Sequence, residues 1–183
     1  MDEKQEERML IDRAKKDPAA FGELYSRYVD RIYNYIYYRT GSSVDAEDLT
    51  GRVFFKAMSH IKGYKHMGLP FSAWLYRIAH NLVANYHRDR DRKREISLDN
   101  LPGQILPKSE QHPETRVAHS QEVDALLARI RDLAPNRQEL VILKFVDQLS
   151  NAEIGKIMRK SEGAIKSLYH RTLLELRETM DDE

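Results

Sequence analysis

Apolar residues return every three or four positions through most of this chain, and nowhere do apolar and polar residues alternate long enough to build a strand. Phe21, Leu24, Tyr25, Tyr28, Ile32 and Ile36 form one face of a predicted helix. It opens at Asp17-Pro18, where Asp17 can cap and the missing N–H of Pro18 costs nothing, and runs to about Arg39 before Gly41 stops it. The tyrosines on that face read mostly as core, whereas Tyr33, Tyr37 and Tyr38 lie off it and cover a neighbour or meet a partner. A second helix follows Ser43, with Asp45, Glu47 and Asp48 near its positive end and Leu49, Val53, Ala57 and Met58 along one side. After a loop flanked by Gly63 and Gly68, a third helix starts near Pro70 and buries Trp74, Leu75, Ile78, Ala79, Leu82, Val83 and Tyr86.

The periodicity fades from about Glu95 to Thr115, where Pro102, Gly103, Pro107 and Pro113 punctuate a polar segment. It returns with Val123, Leu126, Leu127 and Ile130, and Pro135 opens a helix carrying Leu140, Ile142, Leu143 and Val146. The expected fold is all-α: two small helical domains, 1–94 and 118–183, joined by a flexible linker over 95–117. The second domain carries a helix-turn-helix pattern. Ser150 and Glu153 suit a capping box, Ile154 and Ile157 bury the first helix, and Gly155 permits close packing. Ser161 can cap the next helix, whose Ile165, Leu168 and Leu173 face inward and leave Glu162, Lys166, Ser167, His170 and Arg171 outside. Donors on such a helix reach base edges in the major groove, and cations hold phosphates. A plain helical hairpin with a polar outer face has the same pattern.

Charge changes the picture at one place. Between Lys62 and Arg94 the chain carries eight Lys and Arg residues against Asp89 and Asp91, while its formal net charge is only +1. This basic run suits phosphate contact, and Tyr64, Trp74, Tyr76 and Tyr86 offer flat faces to an unstacked base. A duplex has no free base face, so strand separation is a candidate activity. Trp74 belongs first to the buried stripe. Tyr64 and Tyr76, off it, are the better ligand candidates, and the run from Arg88 to Arg94 is either a nucleic-acid contact or a solvated helix end.

The chemistry that the sequence excludes is broad. With no cysteine there is no disulfide, thiolate zinc site or thiol redox sensor. His80 and His87, like His112 and His119, are seven residues apart, about 10.5 Å along a helix, too far for one ion. No phosphate-cradling glycine loop, nucleophile elbow or paired-carboxylate constellation is present, so no metal, cofactor or catalytic residue is assigned and no enzyme activity is expected. No apolar run approaches the roughly 20 residues of a membrane span, and MDEKQEER has no signal-peptide pattern, so a cytoplasmic location is expected.

Three blocks in order, DAEDLTGRVFFKA from Asp45 to Ala57, PFSAWLYRIAHNLVANYHR from Pro70 to Arg88 and LSNAEIGKIMRKSEGAIKSLYHR from Leu149 to Arg171, resemble the small extracytoplasmic-function sigma factors of bacterial RNA polymerase. The resemblance spans Asp17 to Arg177. It implies that the first domain, region two, binds the clamp helices of core polymerase and opens the minus-ten element. The second, region four, then reads the minus-thirty-five element beside the polymerase flap. Asp45, Glu47, Asp48, Leu49, Val53 and Phe54 fall on the implied polymerase surface, with capping and core packing as their plain physical alternative. Tyr64, Lys65, His66 and Met67 match the loop that holds a flipped base, whose extraction costs a few kcal/mol. Arg77, His80, Asn81, Asn85 and Arg88 are implied along the non-template strand, and Ser161, Glu162, Lys166, Ser167, His170 and Arg171 at minus-thirty-five DNA. The implied partners are core polymerase, promoter DNA and an anti-sigma factor. Departures are Arg159 where the turn often has Gly, at a cost on the order of 1 kcal/mol if left-handed, Gly51 for Gln, Asn85 for Asp and Leu173 for Arg.

Two rival readings come from other classes. A stand-alone helix-turn-helix regulator would bind duplex DNA as a dimer and use the first domain as an effector or dimerisation module. A protein-binding adaptor would show no salt-dependent affinity for DNA.

Overall fold

In a computed structural model of the chain, which describes residues 3–100 and 128–181, every long amphipathic segment is helical. The helices are α1 (Glu3–Ala14), α2 (Pro18–Thr40), α3 (Ser43–His60), α4 (Phe71–Asn100), α5 (Pro135–Val141), α6 (Asn151–Met158) and α7 (Glu162–Asp181). No strand occurs among the described residues. α4 continues through Asn100, beyond the expected linker start at Glu95; the rest of that linker, with Val123, Leu126 and Leu127, lies outside the described residues.

Local chemistry sets the helix ends. The Asp17 carboxylate accepts from the Ala19 N–H at 2.9 Å, and Gly41 closes α2 in the left-handed region at φ 69°, donating to the Tyr37 carbonyl. Ser42, one residue before the expected start, caps α3 by accepting from the Asp45 N–H.

Leu24, Ile32, Ile36, Val53, Leu75 and Val83 are almost completely buried where α2, α3 and α4 pack together. α1 closes one side through Leu10, Ile11 and Ala14. The sequence reading missed this helix because its four apolar residues, of which Met9 stays exposed, are set among charged ones. Met58, expected on the inner side of α3, is 45% exposed.

In the second domain α5 widens into a π-helical turn over Ile142–Val146, then α6 and α7 form the helix-turn-helix. Ser150 and Glu153 complete the capping box: the Ser150 hydroxyl accepts from the Glu153 N–H, and the Glu153 carboxylate accepts from the Ser150 N–H. Arg159 occupies the left-handed turn position at φ 56°. A Cβ on Gly155 would stand 2.7 Å from the Lys160 carbonyl oxygen, so the missing side chain lets the turn fold back against α6. Ile165 and Leu168 are buried as expected, but the third inward position is taken by Thr172, its hydroxyl donating to the Leu168 carbonyl, while Leu173 is 38% exposed.

The two domains pack on each other, with α6 against α4 and α5 against α2. Tyr37 and Tyr38 meet the second domain there. Arg131 lies 5.7 Å from the centroid of the Tyr37 ring, and the Gln138 amide donates to the Tyr38 carbonyl.

Candidate nucleic-acid interface

The candidate base-holding loop leaves α3 through a tight turn at Ile61–Gly63 and reverses at Gly68, which needs its φ of 74°. Tyr64 is half-buried. Its ring meets Phe71 edge-on at 5.3 Å and leans on Trp74 at 4.9 Å, so one aromatic wall is fixed by packing. Burial, then the Glu7 charge, raises the Tyr64 hydroxyl pKa and keeps it a neutral donor. Lys65, His66 and Met67 are exposed, Met67 at 78%. The Arg8 guanidinium of α1 donates to His66 Nε2 at 3.0 Å, so the unpredicted N-terminal helix braces the loop.

A cavity of about 490 Å³ opens between this loop and α4, lined by Tyr64, Lys65, Met67, Trp74 and Arg77, and on its far side by Lys156 and Ile157 of α6. Farther along α4, Arg77, Asn81, Asn85 and Arg88 are exposed at helical spacing and form one polar stripe. A second cleft of about 310 Å³ beside it adds Lys56 and His60 of α3. Neither residue was expected there; both lie on the exposed side of α3, and only the α3–α4 packing brings them to the stripe.

Two predicted ligand groups are placed differently. Tyr76, expected to offer its ring to a base, is fully buried with its hydroxyl donating to Asp147, so it has no free face. His80 is partly buried, and its Nδ1 lies 2.7 Å from the Glu139 carboxylate. Tyr86 donates to Asp45 at 2.8 Å, with its hydroxyl pKa raised by burial and then by that bond.

On α3 the six residues of the implied polymerase surface divide. Glu47 and Asp48 are exposed and Asp45 is half-exposed, whereas Leu49, Val53 and Phe54 are 2%, 0% and 4% exposed and hold the core. The exposed apolar residues on this helix are instead Val44, Phe55 and Met58. Helical periodicity located the acidic edge but could not say which apolar neighbours remain outside.

On α7 the outward set is confirmed in position: Ser161, Glu162, Lys166, Ser167, His170 and Arg171 are all exposed. The Ser161 hydroxyl accepts from the Ala164 N–H, fixing the helix start, and Arg171 Nε donates to the Ser167 carbonyl. Lys166 and Glu162 stand 3.5 Å apart, a solvated pair worth little to stability, which leaves the ammonium free to exchange partners.

A family profile described as Sigma-70 region 2 matches residues 24–93, and one described as Sigma-70, region 4 matches residues 124–176. The chain is 40% identical over 177 residues to the ECF RNA polymerase sigma factor BldN of Streptomyces coelicolor, an alignment covering 95% of this chain and 66% of BldN. It is 30% identical over 177 residues to the ECF RNA polymerase sigma factor SigW of Bacillus subtilis, covering 92% of each. CnrH, solved in complex with the cytosolic domain of CnrY, is similar in fold, with a TM-score of 0.72 over 97% of this chain and 98% of that chain at 19% identity.

Proposed function

Because the chain belongs to the extracytoplasmic-function sigma factors of bacterial RNA polymerase, we propose that it acts as a promoter-specificity subunit with no catalytic activity of its own. It directs core polymerase to promoters in the cytoplasm and opens them. The observation that carries this reading is the Tyr64 wall and cavity beside the basic, amide-bearing stripe of α4. A base taken out of a duplex loses its stacking, and the pocket returns it by presenting an aromatic face while Lys65 and Arg77 meet phosphates.

Tyr64, Lys65, His66, Met67, Arg77, Asn81, Asn85 and Arg88 are assigned to the minus-ten strand, with His80 joining them once it is released from Glu139. Lys56 and His60 extend that path. Ser161, Glu162, Lys166, Ser167, His170 and Arg171 are assigned to the minus-thirty-five duplex. Asp45, Glu47 and Asp48, with Val44, Phe55 and Met58, offer polymerase an acidic rim around exposed apolar side chains, and Leu49, Val53 and Phe54 support that surface from beneath. Each DNA contact is weak alone. Polymerase makes them cooperate by holding both domains on one promoter. A partner that covers these surfaces, as an anti-sigma factor would, suits a chain whose activity depends on surface access. Among the described residues no helix is long and apolar enough to cross a membrane.

The test is co-elution with sigma-free core polymerase followed by run-off transcription from a genomic library. Binding with new discrete start sites is expected; a folded protein that neither binds core nor starts transcription would refute the proposal. Tyr64→Ala should slow promoter opening while leaving core binding intact. Normal opening kinetics would remove Tyr64 from the pocket.

A further inference from the structure

α1 carries none of the residues assigned to DNA or polymerase, yet it reaches the base-holding loop. Its own place in the fold is set without that loop. Leu10, Ile11 and Ala14 are buried where α1 packs on α2, the Glu7 carboxylate accepts from the Tyr28 hydroxyl, and Arg13 pairs with Glu23 at 3.0 Å. The loop is the slack partner. Phe71 and Trp74 hold Tyr64 at one end and Gly68 reverses the chain at the other, but Lys65, His66 and Met67 between them are exposed. Of these three, among the described residues, only His66 has a hydrogen bond to another element, and that element is α1.

The loop separates two clefts. Arg8, Ile11 and Asp12 share one face of α1 by their spacing, and with Lys15, Tyr64 and His66 they line a space of about 140 Å³. The cavity of about 490 Å³ lies on the α4 side, and His66 does not line it. The histidine ring is therefore turned toward α1 rather than toward the space that would hold a base. An arginine guanidinium only donates, so its 3.0 Å bond needs the lone pair of His66 Nε2 and leaves the ring proton on Nδ1. A solvated histidine favours the other tautomer. A bond this exposed adds little to stability; its effect is to remove freedom from loop residues that would otherwise be ordered only as a base enters.

We propose that Arg8 is a positioning residue for promoter opening, whose bond to His66 ties the base-holding loop to α1 before a base arrives, with His66 acting as the tether rather than as a base contact. The proposal rests on the minus-ten assignment of the larger cavity, while the tether is a property of the free chain.

Two measurements on the full chain test it. In the free protein, magnetic resonance of the ring nitrogens, assigned by comparison with His66→Ala, should place the His66 proton on Nδ1, and Arg8→Ala should return it to Nε2. With core polymerase, opening is followed on a promoter recovered by run-off transcription, carrying a fluorescent base analogue at each minus-ten position in turn. Arg8→Ala and His66→Ala should each slow opening about threefold to tenfold with core affinity unchanged. The double variant should be no slower than either alone, and Arg8→Lys should recover most of the rate. Circular dichroism confirms folding, and His66→Ala breaks the same bond without touching α1. Additive losses, or a salt slope reduced by about one in Arg8→Ala, would make Arg8 a phosphate contact and overturn the tether. Unchanged opening in both variants, or a native proton on Nε2, would overturn it as well. A chain with the proton on Nδ1 that neither binds core nor starts transcription would refute the sigma-factor reading and leave the tether standing.

Discussion

Replacing Gly155 by Ala probes the spacing on which the DNA-reading unit depends. In an open helix this substitution gains about 1 kcal/mol, because Ala loses less backbone freedom than Gly. Within α6 the new Cβ would meet the Lys160 carbonyl oxygen at 2.7 Å and Ile165 Cγ1 at 3.7 Å. The second distance is ordinary contact; the first requires movement. A carbonyl oxygen cannot rotate aside as a side chain does, and Lys160 is further tied by its N–H to the Gly155 carbonyl at 2.8 Å. The turn must shift, at the roughly 1–3 kcal/mol typical of overpacking, leaving a net loss of about 1 kcal/mol. For a chain of this length that lowers the melting temperature by about 2–4 °C. Gly51, inside α3 with nothing within 4 Å of its would-be Cβ, is the control, and Gly51→Ala should raise the melting temperature by about the same amount. The assay is a thermal melt by circular dichroism with hydrogen exchange on the α6 amides, since two domains can melt separately. Should Gly155→Ala stabilise as Gly51→Ala does, the close approach of the turn is no constraint and the reasoning fails.

Three further outcomes follow from particular positions. Arg159→Gly removes the cost of a side chain at φ 56° and should stabilise the second domain by about 1 kcal/mol in the same melts; an unchanged midpoint would mean that the left-handed turn is not strained. Arg171→Ala should weaken use of promoters that depend on the upstream element and reduce the salt slope of binding by about one, without changing core affinity; an unchanged slope would take Arg171 off the phosphates. Burial first, and then the Arg39 charge, hold the His87 imidazole below its ordinary 6.5, with Asp91 opposing and Arg90 adding to the effect. The folded state therefore favours the neutral ring, and its contribution is complete above 6.5 and lost as the pH falls from there through the lower folded value. His87→Gln should flatten the acid side of the stability profile, and a profile identical to the native one would refute this.

Glu139 and Asp147, the two carboxylates of the second domain buried against the first, divide in their response to acid. Burial alone would raise the Glu139 carboxyl, but the hydrogen bond to His80 and the Arg39 charge outweigh it and hold the group below the usual carboxylate range. Burial raises Asp147 despite Tyr76 and Arg31. Acidification therefore removes the Glu139 contribution while relieving the penalty at Asp147.

The α2, α3 and α4 helices, the capping box, the inward Ile154, Ile157, Ile165 and Leu168, and the outward set on α7 were all legible in the chain. Caps and apolar stripes act within a turn or two of helix, so neighbouring residues carry their whole cause. Arg159 stood out only through the family resemblance, as a residue where the turn often has Gly and costly if left-handed; the structure makes that position left-handed. α1 was missed because four apolar residues among charges make a stable helix only when a groove exists to receive them. The choice among apolar neighbours on α3 needed the position of α2 and α4: Val53 and Phe54 turn inward, while Phe55 and Met58 remain outside.

Tyr76 shows the limit most directly. Its spacing puts it off the stripe of α4, yet it is a core residue, its ring 5.2 Å from that of Tyr35 and its hydroxyl donating to Asp147 of the other domain. Tyr35, buried beside it, donates its hydroxyl to Glu139, 104 positions away. By itself the sequence determined helices α2, α3, α4, α6 and α7, the cap of α2 and the capping box of α6, the two-domain order, and the basic stretch of α4 with the outward-facing polar residues of α7, because these follow from spacing and local hydrogen bonding. Tertiary structure alone decided which aromatic rings stay free, which carboxylates are buried and how one domain covers the other's pocket, because those contacts join residues that no local period connects.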